Sequence, residues 1–302
     1  MPNTLLDIAK SSGSDGLAGL VEECAPAVPE IGLIPVKPIK GIDYRANIRV
    51  GLPQGSFRSA NEGSTPVGSV YEQQLFACHI ANPNWLCDKA VADAHEDGAA
   101  AYIAAEAFGV ALGEFVHIGK QVYYGTGNDA KGFPGLNVLW DSAAHTVDAT
   151  GSAANTGSSV WFVKFGPEGV QFLGGNNQQL TMSDVITIVA TDGNGKKYSA
   201  YYQEMLAWIG MKMANKHAAV RICNLTEQDN KTLNDKLLGK ALAKFPVGLR
   251  PDACLMSRRS LEQLRSSRTA TNATGAEAPT PTTFEGVPII PTDSIVDTEA
   301  IV

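Results

Sequence analysis

Residues 82–116 read NPNWLCDKAVADAHEDGAAAYIAAEAFGVALGEFV, and this stretch organises the rest of the chain. Val91, Ala94, Gly98, Ala101, Ala105, Phe108, Leu112 and Phe115 recur at steps of three and four, the spacing of one helical face. Asn82 is placed to cap such a helix, and Pro83 suits its first turn. The spacing predicts one helix over 82–116, roughly 50 Å long at about 1.5 Å per residue. A rod of that length is too long for a small domain to surround. Its Ala and Gly stripe permits close approach of a sheet or another helix. Gly98, Gly109 and Gly113 each cost about 1 kcal/mol relative to Ala, so tertiary contact must supply the difference.

Upstream of this stretch, residues 43–50 alternate. Tyr44, Ala46, Ile48 and Val50 face one side, and Arg45, Asn47 and Arg49 the other. A second strand-like run covers 68–77. The intervening 51–67 is rich in Gly, Ser, Asn and Pro, so the pair reads as a protruding hairpin with a long polar tip. Residues 1–38 read as an arm: Pro26, Pro29, Pro35 and Pro38 forbid a long helix and favour extended backbone. Ile31, Leu33, Ile34, Val36 and Ile39 keep it apolar, so it is expected to need a neighbouring surface. Deleting 1–38 is expected to leave a foldable subunit that cannot assemble.

Downstream, residues 119–136 are turn-rich, and 141–158 read as an exposed loop of Ala, Thr, Ser, Gly and Asn. Strands are expected over 159–165, 184–191, 196–208 and 218–223, with Asp192-Gly193-Asn194-Gly195 as a hairpin turn. Leu233, Leu237, Leu238, Ala241, Leu242 and Phe245 form a helical stripe, and Ser257 can cap a further helix carrying Leu261 and Leu264. Gly286–Pro291 reads as an edge strand because of Pro288 and Pro291. The class is α+β.

Composition narrows the function. The chain has 302 residues, 44% hydrophobic and 18% charged, with 30 glycines and net charge −7. Typical soluble domains are about 25% charged. A core can form, and the low charge suggests that much surface is buried against something else, such as copies of itself. DNA-gripping proteins normally show a basic excess or stripe. Here only Arg258, Arg259, Arg265 and Arg268 cluster, and they read as a solvated helix face. Cys24, Cys78, Cys87, Cys223 and Cys254 lack CxxC spacing and read as reduced thiols. No signal segment is seen, and no apolar run approaches the roughly 18 residues that span a bilayer.

Motifs for chemistry fail on their contexts. Gly125–Ala130 matches GxGxxA, but Lys131-Gly132-Phe133-Pro134-Gly135 follows where a helix must start. Gly113–Lys120 has one residue too many for a phosphate loop, and Gln121 stands where Ser or Thr would bind magnesium. His95-Glu96 lacks a second histidine, since Ala99 occupies its place. Gln203 stands at the twelfth position of a calcium loop begun at Asp192. No catalytic, cofactor or metal residues are expected, and the chain is not expected to be an enzyme.

Several passages resemble major capsid proteins of tailed double-stranded DNA bacteriophages with the Hong Kong 97 capsid fold. Gly157-Ser-Ser-Val-Trp-Phe-Val-Lys-Phe-Gly-Pro-Glu-Gly-Val170 is similar to that family's strand and turn. Trp208, Gly210, Val220, Arg221, Ile222 and Asn224 fall in a second similar passage. Phe284-Glu-Gly-Val-Pro-Ile289 and Thr298-Glu-Ala-Ile-Val302 resemble its terminal segments, and 121–136 its junction after the spine helix. Their order is shared over roughly 80–302, and the first 80 residues match only in layout.

The resemblance implies an N-terminal arm over 1–40 and an extended hairpin loop over 41–77. It implies a peripheral domain of 78–125 and 159–223, with spine helix 82–116 and the long strands. An axial domain would hold 126–158 and 224–302, its last strand returning to the sheet. It further implies a coat protein that assembles into hexamers and pentamers of an icosahedral shell around packaged double-stranded DNA, bound without sequence specificity. Expected partners are other copies, with scaffold, portal and decoration proteins, and no membrane. The expected place is the virion capsid, assembled in the host cytoplasm. Arg45, Arg49 and Arg58, on the hairpin, are expected to contact neighbouring subunits, with simple solvent exposure as the alternative. A host nanocompartment (encapsulin-like) shell of the same fold and an enzyme with an unrecognised site are the competing readings.

Overall fold

The computed structural model describes residues 26–139, 143–177, 181–270 and 276–302. The described chain enters through one helical turn, α1 (Glu30–Leu33), and strand β1 (Val36–Pro38). Both belong to the body of their own subunit, which corrects the expected free arm for residues 26–40. β1 pairs in parallel with β8 (Val170–Gly174). Ile34 packs with Ile118, Val122 and Phe172. Glu30 is 0% exposed, and its carboxylate accepts a 2.6 Å hydrogen bond from the Tyr123 hydroxyl. Asp293 N donates to Ala27 O at 3.0 Å, and the Asp293 carboxylate accepts from Ala27 N at 2.7 Å. The prolines do hold the segment extended, but its apolar residues find their surface at home. Deleting 1–38 would therefore remove core contacts as well as any assembly contact. Residues 1–25 of the expected arm lie outside the described residues.

The hairpin is as the alternation indicates. Strands β2 (Asp43–Gly51) and β3 (Val70–Ala77) run antiparallel from the Asp43–Ala77 pair to Gly51–Val70. Ala46 is buried and Tyr44 and Ile48 are half-buried, while Arg45, Asn47 and Arg49 are exposed.

The long helix is displaced from its expected span. Residues 79–88 form β4 (His79–Ala81) and β5 (Asn84–Asp88). Trp85 and Cys87 alternate inward, pairing opposite residues 200–204, so strand periodicity overrides the helical reading there. Asp88 caps a single turn, α2 (Lys89–Ala92), by accepting from Ala90 N at 2.9 Å. Gly98, at φ 84, separates this turn from the spine helix, α3 (Ala99–Tyr124). At about 1.5 Å per residue α3 spans roughly 39 Å. It runs past residue 116 because Ile118, Val122 and Tyr123 are buried. It ends at Gly125, φ 51, where a Cβ would lie 2.1 Å from Gly135 N, so only glycine fits. No helix starts after this turn in the GxGxxA segment; Gly125–Gly127 is a short 3-10 turn. The helix is long and apolar enough to cross a bilayer by length and composition, which the sequence reading missed.

A short turn, α4 (Leu136–Leu139), and β6 (Thr146–Asp148) follow, so part of the expected 141–158 loop is a strand. The remaining elements are β7 (Ser158–Val163), β9 (Thr181–Met182), β10 (Ile186–Thr191), β11 (Lys197–Met213) and β12 (Ala219–Leu225). The last third adds α5 (Asp235–Leu242), β13 (Ala253–Met256), α6 (Arg258–Ala270), β14 (Thr283–Phe284) and β15 (Val287–Pro291). Ser257 does cap α6, its hydroxyl accepting from Ser260 N at 3.2 Å.

The strands form two main sheets. The first runs β1-β8-β11-β10, with β4, β5 and β9 also on the 17-residue β11. The second runs β14-β15-β13-β7-β12-β6. β7 and β12 therefore sit with β13, not with β8 and β11, which corrects the expected grouping of 159–223. β15 lies inside the second sheet, so Pro288 and Pro291 do not mark its edge. Alternation divides this sheet's two faces. Trp161, Val163, Ala253 and Leu255 face α3. Val160, Phe162, Cys254 and Met256 pack with Leu238 of α5 and Leu264 of α6. Both faces are covered, so these strands read as continuous apolar runs.

Burial pushes the Glu30 carboxyl above the usual carboxylate range, against hydrogen bonds from Thr292, Tyr123 and Ser294. The folded subunit thus holds this proton more tightly than the unfolded chain. Its contribution to stability is full below the ordinary carboxylate pKa and is lost as pH rises through the raised value. Glu30→Gln removes the titration and keeps an oxygen for Tyr123. Urea unfolding is expected to show the variant at least as stable as the parent near pH 7, with its relative advantage shrinking towards about pH 4. An equal deficit at both pH values would contradict this account.

Candidate assembly surfaces

One buried cluster fixes the body from which the outer surfaces project. Arg221 of β12 donates to Glu299 Oε2 at 3.0 Å and to Ser159 Oγ at 2.9 Å. Ser159 Oγ also donates to Glu299 Oε2, and Tyr124, the last residue of α3, donates to Glu299 Oε1 at 2.6 Å. Burial, then the Glu299 charge, pushes the Tyr124 phenol far up, so it stays a donor. The guanidinium also lies 5.6 Å from the Trp161 ring centre. Backbone bonds join Glu299 with Gly157 in both directions. Asn224 Nδ2 donates to Val302 O at 2.9 Å, and Val302 N donates to Asn224 Oδ1 at 3.0 Å. The Thr298–Val302 segment is thereby bolted to both the second sheet and the spine helix.

A second cluster holds the hairpin root. Ile39, Ala46, Phe76 and Leu173 are buried together. Tyr44 lies between two ammonium groups: Lys37 Nζ is 4.2 Å and Lys212 Nζ 5.2 Å from its ring centre. Lys37 also donates to the Tyr44 hydroxyl at 2.9 Å, and this bond, more than the charge of Lys212, lowers the phenol's pKa. Lys212 is 4% exposed, and burial pushes its ammonium pKa down. The clasp joins strands β1, β2 and β11, so the direction of the hairpin is set by the body.

Beyond Ile48 the hairpin has no core of its own. Val50, Leu52, Phe57, Val67, Val70 and Tyr71 are all exposed. Arg45 and Arg49 lie on one face of β2, and Arg58 stands apart in the tip loop. Arg49 Nη2 donates to the Tyr71 hydroxyl at 3.1 Å, and Arg58 Nη1 to Glu62 O at 2.6 Å. Among the described residues none of the three forms a carboxylate ion pair. Their charges are left available for another surface. Phe108 on α3 and Ile186 and Val189 on β10 are further exposed apolar side chains. The arginines of α6 behave differently. Arg265 pairs with Glu277 at 2.8 Å and Arg268 with Asp235 at 2.7 Å. Arg259 donates to Thr156 O and Asp297 O. These three brace their own subunit and are not a free basic stripe, while Arg258 at the start of α6 is exposed. Sequence reasoning missed Lys212 and Glu299, whose partners lie far along the chain. Sequence reasoning also passed over Phe57, which is fully exposed, although a lone aromatic in a Gly/Ser/Pro loop is a signal that could have marked it.

A family model for the major capsid protein GP7 matches residues 36–302. The chain belongs to this family of phage major capsid proteins. Self-assembly into a capsid shell is its function, and the virion capsid is its place. A chain in the near-atomic cryo-EM structure of bacteriophage Epsilon15 is 21% identical, with 100% of this chain and 98% of that one covered and a TM-score of 0.75. A chain of Mycobacterium phage Bobi is 12% identical, with 72% and 97% covered and a TM-score of 0.50. These likenesses show the fold, the α+β Hong Kong 97 type. No sequence match to a curated protein was found.

For this coat protein, breaking the buried pair on one side leaves an uncompensated charge. Arg221→Ala is expected to cost about 3–5 kcal/mol, read by urea unfolding of the dissociated subunit. A loss below about 1 kcal/mol, typical of exposed pairs, would show that Glu299 is not held as described.

Proposed function

We propose that the chain forms hexamers and pentamers of an icosahedral shell around packaged double-stranded DNA. The observation that carries this reading is the family match over 36–302, joined to a hairpin whose apolar tip is left uncovered. A monomer gains nothing from such a tip, whereas copies in a shell bury it. Homo-oligomeric symmetry lets one pair of surfaces serve every copy. The net charge of −7 suits a container that does not adhere strongly to its genome. Portal, scaffold and decoration proteins are the further partners, and assembly takes place in the host cytoplasm.

The sheets suggest a revised division into lobes. The first sheet with α3 is the peripheral domain, and the second sheet with α5 and α6 is the axial domain around the symmetry axes. β2–β3 is the extended loop laid on a neighbour. Arg45, Arg49 and Arg58 contribute charge to that contact.

Negative-stain electron microscopy of the overexpressed chain tests both levels. Closed icosahedral shells, or five- and six-fold capsomers, are expected, and a population of discrete monomers would contradict the reading. Reversing all three arginines to glutamate is expected to reduce shell yield. Exposed substitutions of this kind shift monomer stability by only about 0.5 kcal/mol each. Shells at parental yield would remove the arginines from the interface.

A further inference from the structure

We propose that Phe57 is the anchor of the hairpin and seats in an apolar pocket of the adjacent copy, at that copy's hairpin root. The inference rests on the reading of the hairpin as an intersubunit arm and names its receptor. Phe57 is fully exposed, and Leu52, five residues earlier in the same loop, is 75% exposed. The surrounding loop does not fold onto the body: a Cβ at Gly55, Gly63 or Gly68 would meet nothing within 4 Å. An aromatic ring presented this way is the kind of group that dominates interface energetics once it is enclosed.

The receptor is a cavity of about 500 Å³ lined by Ile31, Val36, Phe115, Phe172, Trp208 and Ile209. Its volume lies in the usual range for small-ligand pockets, about 300–1,000 Å³. Its lining carries no charged side chain and is mostly apolar, which suits a phenylalanine and not a charged group. Three elements build it: the docked segment around α1 and β1, the middle of α3, and the face of β8 and β11. Val36 forms an exposed rim.

The pocket is out of reach of the same chain's own Phe57. Trp208 borders the hairpin root, since a Cβ on Gly175 would lie 2.8 Å from Trp208 Cβ and 3.3 Å from Gly41 O. From that root β2 runs for nine residues, which at about 3.3 Å each carries the tip roughly 30 Å away. The ladder with β3 prevents it from folding back. Knob and hole are thus different surfaces of one subunit, held a strand's length apart. A second copy of the chain offers the missing half of each. Contacts of this head-to-tail kind close into rings when the rotation per step permits, as capsomers require.

Phe57→Ala tests the anchor, because a side chain without contacts in its own subunit can be removed without altering the fold. The variant is expected to keep the parental circular dichroism and melting temperature, to lose at least tenfold in shell yield, and to regain assembly as Phe57→Trp. Normal shells from Phe57→Ala would overturn the anchor while leaving the capsid reading intact. Failure of the parent chain to assemble would instead overturn that reading. A chain carrying both Ser56→Cys and Val36→Cys gives a second readout, since Ser56 is exposed beside the anchor and the Phe57 ring is kept. Oxidised shells are expected to show a covalent ladder on a non-reducing gel that neither single variant shows. Shells without a ladder would assign the pocket to another occupant, such as residues 1–25, and refute the proposal.

Discussion

The buried pair of Arg221 and Glu299 is the contact on which the rest of the subunit depends. Removing two charges from water costs more than their attraction returns unless further hydrogen bonds complete the site. Here Ser159 and Tyr124 do so. The cluster joins four places in the chain: the end of α3, the start of β7, the centre of β12 and the C-terminal segment. The spine helix therefore cannot shift against the second sheet without opening a low-dielectric charge site. Glu30, in the same core, fastens the N-terminal side through Tyr123, the residue before Tyr124. Two adjacent tyrosines at the end of one helix thus hold both ends of the described chain.

A body locked in this way can carry extensions that have no core of their own. The hairpin is directed by the Tyr44 clasp and by the cluster of Ile39, Ala46, Phe76 and Leu173. Beyond Ile48 it presents apolar side chains to solvent. Such exposure is a liability for a monomer and a source of binding energy in a shell, at about 25 cal/mol per Å² of apolar surface buried. The low charge fraction of 18% fits the same proposal, in which copies cover much of this surface.

The fold was legible where local pattern and tertiary burial agree. Strict alternation in 43–50 located β2 and its faces, and Asp192–Gly195 gave a true hairpin turn, with Asp192 accepting from Asn194 N and Lys196 N. It was misread where two periods overlap. Val91, Ala94 and Gly98 keep helical spacing, but Trp85 and Cys87 are held in a strand by pairing with β11, a contact more than a hundred residues away. The arm was misassigned for a similar reason. Its prolines fix extended backbone, and nothing local says whether the apolar side chains dock on their own subunit or on another. Arg45, Arg49 and Arg58 were placed on the hairpin by pattern alone. Glu299, Lys212 and the pocket beside Trp208 were not found, since each is assembled from segments that meet only after folding.

Hydrogen–deuterium exchange on dissociated subunits and on assembled shells tests the central claim, a self-locked body with extensions that are covered only by copies. Amides of β1, β7, β12 and residues 299–302 are expected to be protected in both states. The outer half of β2–β3 and the exposed stretch of α3 are expected to gain protection on assembly alone. Fast exchange of β1 and the C-terminal segment in the free subunit, or a hairpin whose exchange is unchanged by assembly, would contradict the account.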